Sequence, residues 1–307
     1  MSARGGCAGG GAPRGTAPPP WVAAECRVLG RDEPATGYVR LLLEAPGLAA
    51  RARPGQFLHV RCGGGRDPLL RRPICMHDAA PAAGTVALLV RVVGRGTAIL
   101  AASGVGDVLD VLGPLGRGFD AAGGGGTHAG VHASAQGGAL ALVAGGAGVA
   151  PLAFAARASA GRTVHALVGA RTAAELVSVA ELGRWGARVR VATDDGTSGH
   201  HGPVTDLLED LLARQGGGRA SGALDAPREV WACGPLPMLR RVAAIAGGAG
   251  VRCLVSLEAH MACGVGACRG CAWPAAGAAG AGGCATTPSY VHVCRDGPVF
   301  DAREVVL

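Results

Sequence analysis

The chain has 307 residues, 49% hydrophobic yet only 3% aromatic, and a formal net charge of +7 in which every basic side chain is Arg. That length leaves room for two or three domains, each with its own core. The arginines are scattered without interleaved aromatics, so no nucleic-acid partner is indicated. The best membrane candidate, ALALVAGGAGVAPLAF from Ala139 to Phe154, is short and broken by glycines and Pro151; it predicts a buried strand and turn rather than a span.

The N-terminal residues 1–20 lack the apolar core of a secretory signal, and their Gly/Pro content predicts a disordered tail. From 21 to 120 the pattern is short strands: YVRLLLEA, QFLHVRC, TVALLVRVV and DVLDVL, separated by PG, GRG and GPLG turns. Strands at this spacing predict a small antiparallel barrel. Residues 121–138 are a Gly/Ala/His-rich linker whose His128 and His132 read as surface residues rather than a metal pair.

The period changes between 139 and 250. ALALVAGG, TVHALVGAR, ARVRVATDD and EVWACGP read as buried strands spaced by helical stretches. Val204, Leu207, Leu208, Leu211 and Leu212 make one stripe of an amphipathic helix, and Met238, Leu239, Val242 and Ile245 make another. The alternation predicts a doubly wound, parallel α/β domain.

Residues 251–307 carry the densest chemistry. Cys263, Cys268 and Cys271 stand in a C-x4-C-x2-C spacing with further thiols downstream, the plant-type arrangement for a [2Fe–2S] cluster. Gly264, Gly266, Ala267 and Gly270 leave room for a tight loop whose N–H groups face sulfur. A zinc ribbon needs a second CxxC, which is missing here, and a disulfide framework suits short secreted chains. Cys284 lies in an Ala/Gly stretch, whereas Cys294 ends the alternating run SYVHVC. A ligand held on a strand is better positioned, so Cys294 is the expected fourth ligand and Cys284 the alternative. Free thiolates fit a reduced, cytoplasmic setting.

Five further stretches suggest cofactor contacts. In LLRRPICMHD, Arg72, Pro73, Ile74 and Cys75 form an Arg-Pro turn able to offer a flavin backbone donors and a cation. Downstream, VRVVGRGT brings Gly94, Gly96 and Thr97 as phosphate-facing groups. VAGGAGVAP places Gly145, Gly146 and Gly148 between strand and helix, where a pyrophosphate sits well, although it is not the G-x-G-x-x-G fingerprint. ACGPLPM puts Cys233 and Gly234 at a strand end, and ATDDG puts Asp194 and Asp195 at another, either to accept ribose hydroxyls or to cap a turn.

The order RRPI, VRVVGRGT, GPLGRGF, AGGAGVAPL, ATDDGT, ACGPLPML, SLEAHMACGVGACRGC and VCRDGPVF, running from about Val22 to Leu307, resembles one family. It is the iron–sulfur, electron-transfer subunit of NAD-dependent (class B) dihydroorotate dehydrogenase, within the wider ferredoxin–NADP reductase group. The resemblance implies an FAD-binding β-barrel, an NAD-binding α/β domain and a C-terminal [2Fe–2S] domain. It implies an FMN-containing catalytic subunit as partner, in a heterotetramer of two of each, which oxidises dihydroorotate for pyrimidine synthesis. Electrons then pass through the cluster to FAD and on to NAD+.

Carried over residue by residue, the FAD contacts fall on Arg72, Pro73, Ile74, Cys75, Leu89, Val90, Arg91, Gly96 and Thr97. The cluster ligands fall on Cys263, Cys268, Cys271 and Cys294. The chain departs from the family pattern at Cys75, usually Ser, at Ala259 and His260, usually Glu-Arg, in a longer loop before Cys294, and in Cys7 and the tail. The competing readings are a related FAD/[2Fe–2S] subunit of a hydrogenase, sulfite reductase or ferredoxin transhydrogenase, and a zinc-binding interaction protein.

Overall fold

A computed structural model describes residues 21–119, 138–216, 225–276 and 289–307. The expected tail at 1–20, Cys7, His128, His132 and Cys284 lie outside the described residues.

The first region contains β1 (Val22–Ala35), β2 (Tyr38–Glu44), the short helix α1 (Pro46–Ala49), β3 (Phe57–Val60), β4 (Arg72–Ala80), β5 (Thr85–Arg91), α2 (Arg95–Ala101) and β6 (Val108–Leu115). Its six strands close into an antiparallel barrel in the order β1-β2-β5-β4-β3-β6. Closure removes the free sheet edges that would otherwise invite pairing with other chains. The barrel interior is filled by alternate residues: Leu58 and Val60 from β3, Ile74 and Met76 from β4, and Leu88 and Val90 from β5.

Two barrel strands were not among the expected runs. In β1 the alternation is visible only as buried Cys26 and Val28 between exposed Glu25 and Arg27. In β4 the Arg-Pro pair is not a turn, as the sequence suggested, but the start of the strand, with Arg72 opposite Val60 and Pro73 opposite His59. Pairing to β5 begins only at Met76, so Pro73 removes no donor from that side of the ladder.

The second region contains β7 (Ala139–Gly145), α3 (Val149–Ala158), β8 (Val164–Ala170), α4 (Val179–Arg184), β9 (Arg188–Thr193), β10 (His200–His201), α5 (Val204–Gly216), β11 (Pro227–Cys233), α6 (Leu236–Gly248) and β12 (Arg252–Ser256). The last stretch adds β13 (Ala272–Pro274), β14 (Tyr290–His292), α7 (Val293–Asp296) and β15 (Val299–Asp301). One seven-stranded sheet runs β10-β9-β8-β7-β11-β12-β15, parallel except for antiparallel β15.

The helical stripes are buried as their periodicity predicts, with Val204, Leu207, Leu208 and Leu212 of α5 and Leu239 and Val242 of α6 in one core. The sheet also continues past the boundary expected at residue 250, since β12 pairs in parallel with β11 from Arg252↔Glu229 to Ser256↔Cys233. Arg252 ties these strands together, reaching Glu229 at 3.2 Å and Asp301 of β15 at 3.5 Å. Residues 257–298 are therefore an excursion between two strands of the nucleotide-type sheet, carrying the β13–β14 ribbon.

Candidate functional site

The strand order 9-8-7-11-12 reverses direction of progress between β7 and β11. Open α/β sheets bind ligands in the crevice outside the carboxyl ends of the strands at such a switch point. Both glycine turns singled out in the sequence stand there. Gly148 lies so close to the Cys233 carbonyl that no Cβ fits between them. A Cβ on Gly145 would stand 2.7 Å from Met238 Sδ, and one on Gly234 would stand 2.6 Å from Met238 Cε. Gly145, Gly146, Gly148, Cys233 and Gly234 thus form a single cradle. Asp194, at the end of β9, is exposed, three strand spacings or about 14 Å along the sheet from Cys233. Its neighbour Asp195 caps a turn, accepting from Thr197 N at 3.0 Å and Thr197 Oγ1 at 2.6 Å.

The barrel meets this cradle with one outward face. Strand register puts Tyr38 beside Arg91, Arg40 beside Leu89, Phe57 beside Cys75 and His59 beside Pro73. The Arg91 guanidinium sits 5.8 Å from the Tyr38 ring centre, and a Cβ on Gly146 would approach both Arg91 Nη1 at 3.3 Å and Tyr38 Oη at 3.4 Å. Tyr38 Oη is buried without a hydrogen-bond partner among the described residues, an orphaned polar atom at the seam between barrel and cradle. Such an atom costs about 1–3 kcal/mol unless a ligand or water completes it.

Other expected flavin contacts divide by side-chain direction. Ile74 and Val90 point into the barrel core, so only their backbones remain for a ligand. Arg72 lies over Gly96, whose Cβ position is 2.6 Å from Arg72 Nε. The Thr97 hydroxyl is already used, accepting from Val93 N at 3.0 Å and Gly94 N at 3.2 Å.

Cys75 and Cys233 lie close enough for each to feel the charge of Glu258, a residue the sequence reading passed over. Burial and then Glu258 push the Cys75 thiol up to about 12, and burial followed by Cys75 and Glu258 pushes Cys233 well above its ordinary value. Glu258 is exposed at its surface side, yet partial burial of its carboxyl raises its pKa, with Arg91 pulling the other way. The available signal was its position, five residues before the first cluster-type thiol.

Cys263, Cys268, Cys271 and Cys294 come together in the excursion. Each sulfur accepts a backbone N–H: Cys263 from Cys268 at 3.4 Å, Cys268 from Gly270 at 3.4 Å, Cys271 from Cys294 at 3.4 Å and Cys294 from Gly266 at 3.1 Å. Cys294 lies in α7 directly after β14, rather than on the strand itself. Burial raises the Cys263 thiol, but N–H groups from Cys268 and Val265 outweigh it and bring it down to about 7. At Cys294 burial and the facing Cys271 thiol dominate, pushing it up to about 12. Two buried thiols and one exposed thiol, Cys268, give the group an inner and an outer edge. Four sulfurs with N–H donors already aimed at them are a donor set suited to a thiolate-ligated iron–sulfur cluster.

Residues 258–306 match the family model described as the iron-sulfur cluster binding domain of dihydroorotate dehydrogenase B. The electron transfer subunit of dihydroorotate dehydrogenase B (NAD(+)) from Desulforamulus reducens is 37% identical over 275 residues, covering 89% of this chain and 93% of its own. The chain belongs to this family of electron transfer subunits. The Bacillus caldolyticus subunit is 40% identical over 257 residues, covering 83% of this chain and 87% of its own. Among solved structures, the NADH-dependent reduced ferredoxin-NADP oxidoreductase studied for flavin-based electron bifurcation superposes with a TM-score of 0.72, at 28% identity over 92% of this chain and 90% of that one. A ferredoxin reductase in carbazole 1,9a-dioxygenase, at 21% identity and TM-score 0.60 over 75% of this chain and 67% of that one, shares the fold. Among the described residues, no helix is long and apolar enough to cross a membrane.

Proposed function

We propose that this chain is the electron-transfer subunit of an NAD-dependent dihydroorotate dehydrogenase, carrying FAD and a [2Fe–2S] cluster and reducing NAD+ with electrons delivered by a catalytic partner. The partner holds FMN, the assembly contains two of each subunit, and the complex works in the cytoplasm. The observation that carries the reading is the set of four sulfurs, each with its own backbone donor, placed in the same chain as a barrel face and a switch-point cradle.

Cys263, Cys268, Cys271 and Cys294 are the residues that would hold the cluster. Arg72, Pro73, Cys75, Leu89 and Arg91 present the side chains that would hold FAD, with backbone from Ile74, Val90, Gly96 and Thr97. Gly145, Gly146, Gly148, Cys233, Gly234 and Asp194 would hold NAD. When bound, the cluster would supply one-electron transfer and the flavin two-electron hydride exchange. The chain's part is to orient and to exclude water. The glycine cradle lets a dinucleotide approach the backbone, and the helix α3 behind it turns N–H groups toward phosphate. Cys75, held neutral at physiological pH, would offer the flavin edge a weak S–H donor, and Glu258, its carboxyl pKa raised by burial, is the titratable group nearest to act on it.

The absorbance spectrum of the whole chain purified without oxygen tests this. Overlapping flavin and iron–sulfur bands, together with a co-purifying subunit that oxidises dihydroorotate, are the expected result. A colourless zinc-loaded preparation would end the reading, and an unrelated partner would move the chain to another reductase complex.

A further inference from the structure

His59 lies in β3, 0% exposed, and neither ring nitrogen has a hydrogen-bond partner among the described residues. Backbone groups at Met261, Arg71 and Cys263 crowd the imidazole, but none meets it in hydrogen-bond geometry. A buried polar atom left this way is destabilising. Packing alone does not account for the residue, because Phe57, on the same outer face of β3, is buried there with an apolar side chain. The imidazole therefore has no well-formed hydrogen bond among the described residues.

Its place indicates what could supply one. On β3 the inward positions are Leu58 and Val60, so His59 projects from the outer face of the barrel. Across the ladder it is paired with Pro73, on the strand assigned above to FAD. On its other side is Gly264, the residue after Cys263. A Cβ there would stand 2.7 Å from His59 Nδ1, and the backbone has φ +72°, so glycine is required twice over. The ring thus forms part of the wall between the flavin strand and the cluster loop. A neutral imidazole carries one donor and one acceptor. A donor directed at cluster sulfur favours the more negatively charged, reduced state, and hydrogen bonds to sulfur are one of the means by which proteins set cluster potentials.

We propose that His59 is a positioning residue for electron transfer: its imidazole donates a hydrogen bond to the cluster and raises the cluster's reduction potential. The inference rests on the cluster assignment above and adds to it a residue that is not a ligand. The test uses the whole chain, purified anaerobically, with iron, sulfide and FAD quantified before anything else. His59→Leu and His59→Gln are then compared with the wild type by EPR-monitored redox titration.

The expected result is that both variants keep iron and FAD, and that NADH reduces the flavin at the wild-type rate. His59→Leu shifts the one-electron equilibrium away from the reduced cluster by at least tenfold, about 59 mV toward lower potential. His59→Gln, which retains an N–H donor, shifts it less. An iron-loaded His59→Leu protein with an unchanged potential overturns the proposal but leaves the cluster assignment standing, whereas a wild-type chain without iron removes both. If His59→Leu fails to take up the cluster, pulsed EPR of the wild type carrying isotope-labelled histidine decides the matter. A nitrogen coupling to the reduced cluster that disappears in His59→Gln supports the proposal. No coupling, or one that survives in His59→Gln, defeats it.

Discussion

The cluster segment and the glycine cradle lie in one chain but are built by opposite means. In the segment the chemistry stands in side chains: three thiols within nine residues and a fourth that α7 brings back to them, each sulfur met by a backbone N–H. In the cradle the chemistry is an absence of side chains. Gly148 makes room for the Cys233 carbonyl, and Gly145 and Gly234 make room for Met238. Single substitutions in the first arrangement are expected to remove a ligand while barrel and sheet stay folded. The second is part of the fold's own packing, so damage to it should appear in stability as well as in binding.

The largest effect should follow from breaking the first arrangement. Cys271→Ser removes a buried sulfur that accepts the Cys294 N–H and faces the Cys294 thiol. Iron is expected to be lost, with dihydroorotate-driven reduction of NAD+ in the assembled complex falling at least about a hundredfold. FAD content and NADH oxidation with an artificial acceptor should persist, because the cradle and barrel face contain none of the altered atoms. Loss of flavin along with iron would show that the two regions are not separable in this way.

A sharper cut is the choice between Cys294 and Cys284. Cys294 Sγ accepts from Gly266 N at 3.1 Å and lies against Cys271, whereas Cys284 falls outside the described residues. Cys294→Ser should abolish cluster incorporation, and Cys284→Ser should leave iron content and the visible spectrum as in the wild type. The opposite pair of spectra would transfer the fourth position to Cys284.

The cradle gives a smaller, mixed effect. Gly148→Ala forces a methyl against the Cys233 carbonyl, so backbone must shift at the end of β11. A stability loss of about 1–3 kcal/mol is expected from such overpacking. The KM for NADH should rise by roughly tenfold, since every 1.4 kcal/mol of lost binding costs that factor. Thermal unfolding and steady-state kinetics together check it, and a change in KM without a change in stability would mean the glycine serves the ligand alone.

This contrast also explains what the amino-acid order disclosed. Thiol spacing is legible because ligand chemistry is concentrated in a rare residue type at short separation. The buried runs of β7, β8, β9 and β11 and the stripes of α5 and α6 were legible because periodicity survives translation into structure. The β4 strand was not, because Arg-Pro is a turn signal that loses its force where Pro73 pairs with β3 alone and has no partner on the β5 side. The sheet's continuation through β12 and β15 was hidden by the 42-residue excursion between them, which places paired strands far apart in the chain. Glu258 and His59 show the remaining limit. Position before the first thiol is the only local mark of Glu258, and His59 has none; the neighbours that give them meaning come together only after the barrel, the sheet and the excursion have packed.

The mildest test concerns the contact that holds barrel and cradle in register, where no cofactor is touched. His77 on β4 is buried, with Nε2 2.8 Å from Ser178 Oγ and 3.3 Å from Glu181 Oε2, and Arg40 on β2 pairs with Glu181 from the other side. His77 and Arg40, working against burial, hold the Glu181 carboxyl at about 2, down from an ordinary 4.5. A depressed carboxylate stabilises the fold above its unfolded pKa, and that contribution fades as pH falls from about 4.5 to about 2. Allowing for screening at a seam that is not fully buried, the contribution is about 1–2 kcal/mol. Glu181→Gln should therefore lower the thermal midpoint at neutral pH, with the gap from wild type closing as the solution is acidified through that window. A gap that stays constant from neutral to acid pH would assign the contact to packing, and would leave the register of barrel and cradle to the apolar seam between α3 and the barrel, where Phe154 enters the barrel core.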